Sequence, residues 1–127
     1  MIKKNEKHPL NLFYMSPNNV MVKDLKEVID KGGKLVQVWE ELRVLQIELP
    51  NGNTVDFESM KPEFKDPSDG AFIKNRNINS LYAVTVEEED FNEVKSSLYK
   101  IIEELGGFFC TDSDDFKPIY QMEDLNS

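Results

Sequence analysis

The chain has 127 residues, with 15 basic and 24 acidic side chains and a formal net charge of −9. Its length suits a single domain over residues 1–127, and its 8 Phe, 4 Tyr and 1 Trp exclude a disordered composition. The negative balance argues against binding to nucleic acid, because affinity for phosphates comes from the counterions that Lys and Arg release.

Cysteine and histidine are scarce in this sequence. Cys110 and His8 are the only residues of these types, whereas a Cys/His zinc site takes about four such ligands. A Ser–His–Asp or Cys–His pair would need His8, which lies in a polar segment that packing does not hold rigid. We therefore expect no metal, no cofactor and no catalytic residue of this kind. A lone cysteine also fits a reducing compartment.

No membrane or export signal is visible in the sequence. The N-terminal residues lack the apolar stretch of a signal peptide. The longest uncharged run, Pro9 to Val22, is shorter than the ~20 apolar residues that a membrane span requires. We expect a soluble, cytoplasmic protein that does not bind membranes.

The first part of the chain predicts a polar arm, a strand and a helix. Residues 1–9 form the flexible arm, and Leu10 to Met15 is an apolar run typical of a strand. Apolar residues then recur at the spacing of one helix face, at Val22, Leu25, Val28 and Ile29. Gly32 and Gly33 end this helix, because glycine adopts the left-handed conformation that follows many helices.

Three strands come next. Leu35 to Trp39 is rich in β-branched and aromatic residues, while Arg43 to Leu49 and Thr54 to Met60 alternate between apolar and polar side chains. Asn51-Gly52 stands between the two alternating segments and is typical of a hairpin turn. Alternation predicts an antiparallel sheet with one solvated face.

A long connection leads to the C-terminal part. Residues 61–79 carry three Pro or Gly residues among polar ones, and we interpret them as a long loop. Leu81 to Val86 then predicts a strand, and residues 87–105 predict an amphipathic helix. Thr85 and Glu88 have the spacing of a capping box at the start of that helix.

The chain ends with shorter elements. Phe108 to Cys110 predicts a strand that completes a β-α-β unit with parallel strands. Ile119 to Met122 predicts an edge strand that could pair between two copies in a homodimer. Residues 123–127 are expected to fray.

These elements predict an α+β fold. We expect two layers, in which a mostly antiparallel sheet of about five to six strands carries two helices on one face. The C-terminal β-α-β unit belongs to the same sheet.

Negative charge is concentrated in the second half of the chain. Residues 1–63 contain nine basic and ten acidic side chains, whereas residues 64–127 contain six and fourteen. Glu103 and Glu104 lie in the last turn of the predicted helix, where the helix dipole disfavours negative charge. We therefore expect an acidic surface that attracts a basic partner.

The first functional hypothesis is a non-enzymatic interaction module for a protein with a basic surface. The most specific version of this hypothesis is an inhibitor similar in kind to immunity proteins or antitoxins. An acidic protein of this kind can bind a basic protein and neutralise its activity. The helix would supply Glu103, Glu104 and the aromatic Tyr99, because Tyr is enriched at binding hot spots. The turn after the β-α-β unit would supply Asp112, Asp114 and Asp115.

Two alternatives stay open. The first is a small-ligand-binding or regulatory domain with a pocket between sheet and helices, closed by the loop over residues 61–79. Four aromatic residues would line that pocket: Trp39, Phe57, Phe72 and Tyr82. The second is an enzyme that works with carboxylates alone and needs a buried pair of acids in a cavity.

Overall fold

A computed structural model describes residues 8–126. They form seven strands and four helices, in an α+β fold. The strands are β1 (Pro9–Ser16), β2 (Leu35–Trp39), β3 (Val44–Glu48), β4 (Thr54–Met60), β5 (Ser80–Glu87), β6 (Phe108–Thr111) and β7 (Ile119–Tyr120). The helices are α1 (Val22–Lys31), α2 (Pro67–Asn75), α3 (Phe91–Leu105) and α4 (Met122–Leu125). No helix in this part of the chain has the length and apolar character needed to cross a bilayer.

All seven strands belong to one antiparallel sheet in the order β2-β3-β4-β5-β1-β6-β7. The expected α+β architecture is confirmed, with somewhat more strands than the sequence indicated. In the β-α-β unit, β5 and β6 run in the same direction, but β1 lies between them and pairs with both. The unit is therefore split, and its two strands do not pair with each other.

Helices α1 and α3 cover one face of the sheet, as the sequence predicts. Their apolar stripes pack on the inward side chains of the central strands, including Tyr14, Phe57 and Phe109. The alternation in β3 and β4 is confirmed, because Ile47 and Val55 are buried on this face. From Leu12 to Ser16, strand β1 is buried on both faces, which explains the apolar run in this part of the strand.

The opposite face is covered in part by α2, and this corrects the interpretation of residues 61–79 as a loop. Asp66 begins the helix by accepting the Ser68 amide at 2.8 Å, and Pro67 occupies the first helical position. These are common helix-start signals, yet the apolar stripe behind them is too short to reveal a helix. Ile73 and Phe72 pack in a second apolar cluster on this face.

The start of α3 also differs from the prediction. A 3₁₀ turn over Glu88–Asp90 precedes the helix, and Thr85 lies within β5, so Thr85 and Glu88 form no capping box. The buried Asp90 carboxylate instead accepts the side-chain amides of Asn51 and Asn53, both at 2.8 Å. These bonds tie the hairpin between β3 and β4 to the start of α3.

The predictions for the two ends of the chain each need one correction. Residues 123–125 of the tail that was expected to fray belong to α4, and Leu125 is only 2% exposed because it packs into the main core. Ser127 of that tail lies outside the described residues. At the other end, β1 already begins at Pro9, while residues 1–7 of the predicted arm lie outside the described residues.

A candidate ligand-binding cleft

A cleft of about 600 Å³ opens at one end of the sheet, where β4 ends and β5 begins. The register brings Met60 beside Leu81 there, and the start of α1 and the turn between β2 and β3 complete the walls. Its lining consists of Asn19, Val20, Met21, Val22, Lys23, Glu40, Arg43, Ser59, Met60, Lys61, Pro62, Asn79, Ser80, Leu81 and Tyr82.

One wall of the cleft is held by buried hydrogen bonds between β5 and the segment before α1. The Ser80 hydroxyl donates to the Asn18 carbonyl at 2.7 Å and accepts the Val20 amide at 2.8 Å. The Tyr82 hydroxyl donates to the Val20 carbonyl at 2.7 Å. Because these groups are paired with one another in a largely buried region, they hold this wall of the cleft in place.

Burial extends the pH range over which the Tyr82 hydroxyl stays protonated. Loss of hydration is the largest effect and raises its pKa to about 12, while Asp24 raises it further and Arg43 opposes the rise. At neutral pH the phenol is therefore a hydrogen-bond donor, and its proton is already used by the Val20 carbonyl. We assign Tyr82 a structural role in the wall.

Three cationic side chains line the cleft: Lys23, Arg43 and Lys61. One carboxylate, that of Glu40, accompanies them. Within residues 8–126, none of these four side chains forms an ion pair. The three cations and one carboxylate of the lining therefore carry a net charge of +2, although the whole chain carries a charge of −9.

The backbone of Arg43 has an uncommon conformation for a residue with a side chain. Its φ is 54°, in the left-handed region. The Arg43 carbonyl accepts the Ser59 amide at 3.0 Å, and the Arg43 amide donates to the Glu40 carbonyl at 3.1 Å. These bonds hold the strained turn at the mouth of the cleft.

The cleft also has an apolar part. Met21 and Met60 belong to its lining, and both are exposed although they are large and apolar. The backbone of the first turn of α1 stands beside them, where the Asp24 carboxylate accepts the Met21 amide at 2.9 Å. The arrangement can hold an anionic group at one side and an apolar group at the other.

The four aromatic residues expected to line a pocket do not come together, which corrects that prediction. Tyr82 lines the cleft, and Phe57 lies fully buried behind it with its ring centroid 6.4 Å from that of Tyr82. Phe72 packs on the opposite face of the sheet, and Trp39 is exposed at the end of β2. The two ends of segment 61–79 do border the cleft, through Lys61 and Asn79.

The acidic residues predicted for partner binding fall into two groups. Glu103 pairs with Lys100 and Glu104 with Lys31, each at 3.2 Å, so the chain's own lysines lie beside them. Tyr99 is half-buried against the main core. Glu103 and Glu104 therefore do not form the uncompensated surface that the sequence indicated.

The second group lies near the start of α2. Loss of hydration and the charges of Asp66, Asp114 and Asp112 raise the pKa of the Asp69 carboxyl. We call these four aspartates the acidic patch. Asp115 has a different environment, since its carboxylate accepts the Lys117 amide at 3.1 Å within its own turn. No three or more His, Cys, Asp or Glu side chains in the described part of the chain are arranged so that they could hold a metal ion.

Sequence reasoning missed the three cations of the cleft. Lys23, Arg43 and Lys61 are far apart along the chain, and each stands alone among residues of other types. Only the sheet register and the position of α1 bring them to one opening. Comparisons with protein-family models, curated proteins and solved structures found no match for this chain.

Proposed function

We propose that this protein binds a small organic anion in the cleft between α1, the β2–β3 turn and the ends of β4 and β5. The observation that carries the proposal is the gathering of Lys23, Arg43 and Lys61, none ion-paired within residues 8–126, in a strongly acidic chain. Cations kept free of internal partners are available to a ligand's carboxylate or phosphate.

The size and lining of the cleft support a ligand with an apolar portion. Its volume of about 600 Å³ lies within the range usual for small-molecule sites. Met21 and Met60 offer flexible, apolar contact surface, which adapts to irregular shapes. We therefore propose a carboxylate or a phosphate monoester that carries a hydrocarbon or aromatic group.

Calorimetric titration with two probe anions, hexanoate and phenyl phosphate, tests the proposal. Hexanol and benzyl alcohol serve as uncharged controls of similar size. We expect saturable binding of at least one anion and much weaker binding of its uncharged control. Lys23→Gln, Arg43→Gln and Lys61→Gln should each weaken the binding by about tenfold, since each removes a charged contact.

Lys65→Gln provides the matched control, because Lys65 is exposed and lies outside the cleft. It makes the same change in net charge and should leave the affinity unaltered. The proposal fails if neither anion binds, or if Lys65→Gln lowers the affinity as much as the three cleft variants do.

A second candidate is the interaction module for a basic protein partner, which we now propose to act through the acidic patch. Its support is that Asp66 and Asp69 at the start of α2 lie close enough to Asp112 and Asp114, in the turn after β6, for their charges to act on the Asp69 carboxyl. A cationic partner would relieve this repulsion. An inhibitor of the immunity or antitoxin type would fit such a surface.

Since the single cysteine is free and buried, we propose the cytoplasm as the location for either function.

Affinity capture from the native host at low and high salt tests this second candidate. A protein retained at low salt should be lost from the Asp112→Lys/Asp114→Lys variant. The Glu103→Lys/Glu104→Lys variant carries the same charge change outside the patch and should retain it. A captured protein that stays bound to the patch variant would contradict this candidate.

A further inference from the structure

Strand β2 forms one edge of the sheet and has none of the usual protection of an edge. Its sequence, Leu-Val-Gln-Val-Trp, contains no charge and no proline, and no strand within residues 8–126 pairs with its outer side. The opposite edge, β7, has only two residues and follows Pro118. The sequence had indicated Ile119 to Met122 as the edge for pairing, but α4 begins at Met122.

The hydrogen bonds of the neighbouring strands show which backbone groups of β2 point outward. The Leu49 amide donates to the Asn53 carbonyl at 2.9 Å, and the Ser59 amide donates to the Arg43 carbonyl at 3.0 Å. Opposite residues in an antiparallel pair alternate between bonded and non-bonded pairs. The odd-numbered residues of β3 therefore bond to β4, and the even-numbered residues bond to β2.

This alternation carries over to β2. Its bonded residues are the partners of Val44, Gln46 and Glu48, namely Trp39, Gln37 and Leu35. The amide and carbonyl groups of Val36 and Val38 then point away from the sheet. They are free to bond with another strand.

We propose that β2 pairs with β2 of a second copy of this chain, antiparallel and centred on Gln37. In this register Val36 lies opposite Val38 of the second copy, so the outward backbone groups of both residues are paired in both copies. The sheet then continues across the two-fold axis.

The side chains around Gln37 are complementary in the same register. Leu35 comes opposite Trp39 of the second copy, and these two apolar side chains are 67% and 42% exposed in the single chain. Lys34 comes opposite Glu40, and neither forms an ion pair within residues 8–126. Cross-strand apolar pairs and opposite charges both stabilise antiparallel pairing. The segment Lys34–Glu40 is therefore complementary to itself.

Sedimentation at increasing protein concentration tests for the dimer. We expect the average mass of the sedimenting species to rise with protein concentration from 14.7 kDa towards twice that value. Dimerisation through β2 does not require an occupied cleft, so this measurement needs no ligand. A chain that stays monomeric at millimolar concentration overturns the proposal.

A cysteine placed on the two-fold axis tests the register. In the proposed pairing the two Gln37 residues form a non-bonded pair with Cα atoms about 4.5 Å apart, a separation that a disulfide can bridge. Gln37→Cys should give a covalent dimer under mild oxidation. Glu58→Cys, at an exposed position of β4 on the same face, is the control and should not. Equal cross-linking of both variants overturns the register.

Charge variants separate dimerisation from folding. Gln37→Lys and Gln37→Glu each place like charges opposite each other across the axis, and each should raise the dissociation constant about fivefold. A mixture of the two variants should form mixed dimers, which a folding defect would not allow. In the same way, Lys34→Glu should weaken the dimer and the double variant Lys34→Glu/Glu40→Lys should restore it. A dimer that none of these changes affects uses another surface, and the proposal is then wrong.

Discussion

The Tyr82 hydroxyl donates to the Val20 carbonyl at 2.7 Å, although 62 positions separate the two residues in the chain. This bond joins β5 to the segment that leads into α1. Both residues line the cleft, so one buried contact fixes the relation between two of its walls. The geometry of the candidate site thus depends on a long-range polar contact inside the core.

Replacing Tyr82 with Phe should destabilise the protein by about 1–3 kcal/mol, because the Val20 carbonyl loses its hydroxyl donor within the core. Urea denaturation measures the change, and anion titration should show weaker binding in the cleft. Tyr99→Phe is the matched control, since the Tyr99 hydroxyl makes no hydrogen bond within residues 8–126. An unchanged free energy of unfolding for Tyr82→Phe would contradict the role assigned to this bond.

Stability should fall at alkaline pH. Burial raises the pKa of Cys110 and of Tyr82, each to about 12, above the ordinary values of 9.0 and 10.0. Both groups are neutral in the native state, and the unfolded chain loses their protons first as the pH rises. The contribution of these two groups to the free energy of unfolding should therefore be constant below about pH 8 and decline between about pH 9 and pH 12.

Urea midpoints from pH 7 to pH 11 measure this dependence. In Tyr82→Phe the decline above pH 10 should be smaller than in the parent chain, because one of the titrating groups is gone. A stability that rises over this range would show that the buried groups are not held neutral.

Two substitutions at Arg43 separate the effect of backbone strain on stability from the effect of the charge on anion binding. With φ at 54°, its conformation is one that glycine adopts at little cost. Arg43→Gly should therefore be more stable than Arg43→Ala by about 1 kcal/mol. Both variants remove the guanidinium and should weaken anion binding equally. If Arg43→Gly binds the anion as well as the parent chain, the guanidinium has no part in the site.

Two glycines form a matched pair for testing the packing of α3 against β1. At Gly107 (φ 86°) an added Cβ would overlap the Met15 carbonyl, whereas at Gly33 (φ 80°) it would meet open space. Gly33→Ala should cost about 1 kcal/mol from backbone strain alone. Gly107→Ala should cost about 2 to 4 kcal/mol, because strain and overlap add. Equal urea midpoints for the two variants would show that the turn into β6 is not tightly packed.

The elements with strong periodicity were predictable from the amino-acid sequence. The apolar stripe of α3 and the alternation in β3 and β4 appear at their expected places, since local spacing decides which side chains face the core. Helix α2 was not predicted, because its helix-start signal at Asp66 and Pro67 is followed by a short segment with little amphipathic character. Its stability comes from contacts with the second apolar cluster, which is formed by distant residues.

The candidate site could not be derived in the same way. Glu103 and Glu104 stand out in the sequence, but Lys31 approaches Glu104 from another helix, which local charge counting does not show. Lys23, Arg43 and Lys61 attract no notice in the sequence, and the fold places them around one opening. Whether a charge is compensated depends on neighbours in space.

The amino-acid sequence alone was sufficient to predict an acidic α+β domain. Composition and periodicity are properties of the sequence itself, and they can be evaluated without knowing which strands are neighbours in the sheet. The insertion of β1 between β5 and β6, the cationic cleft and the unprotected edge of β2 were decided by the tertiary structure alone. They depend on strand order and register, which arise when segments far apart in the chain pack into one core. Long-range pairing of this kind leaves no periodic trace in the sequence around the residues that it brings together.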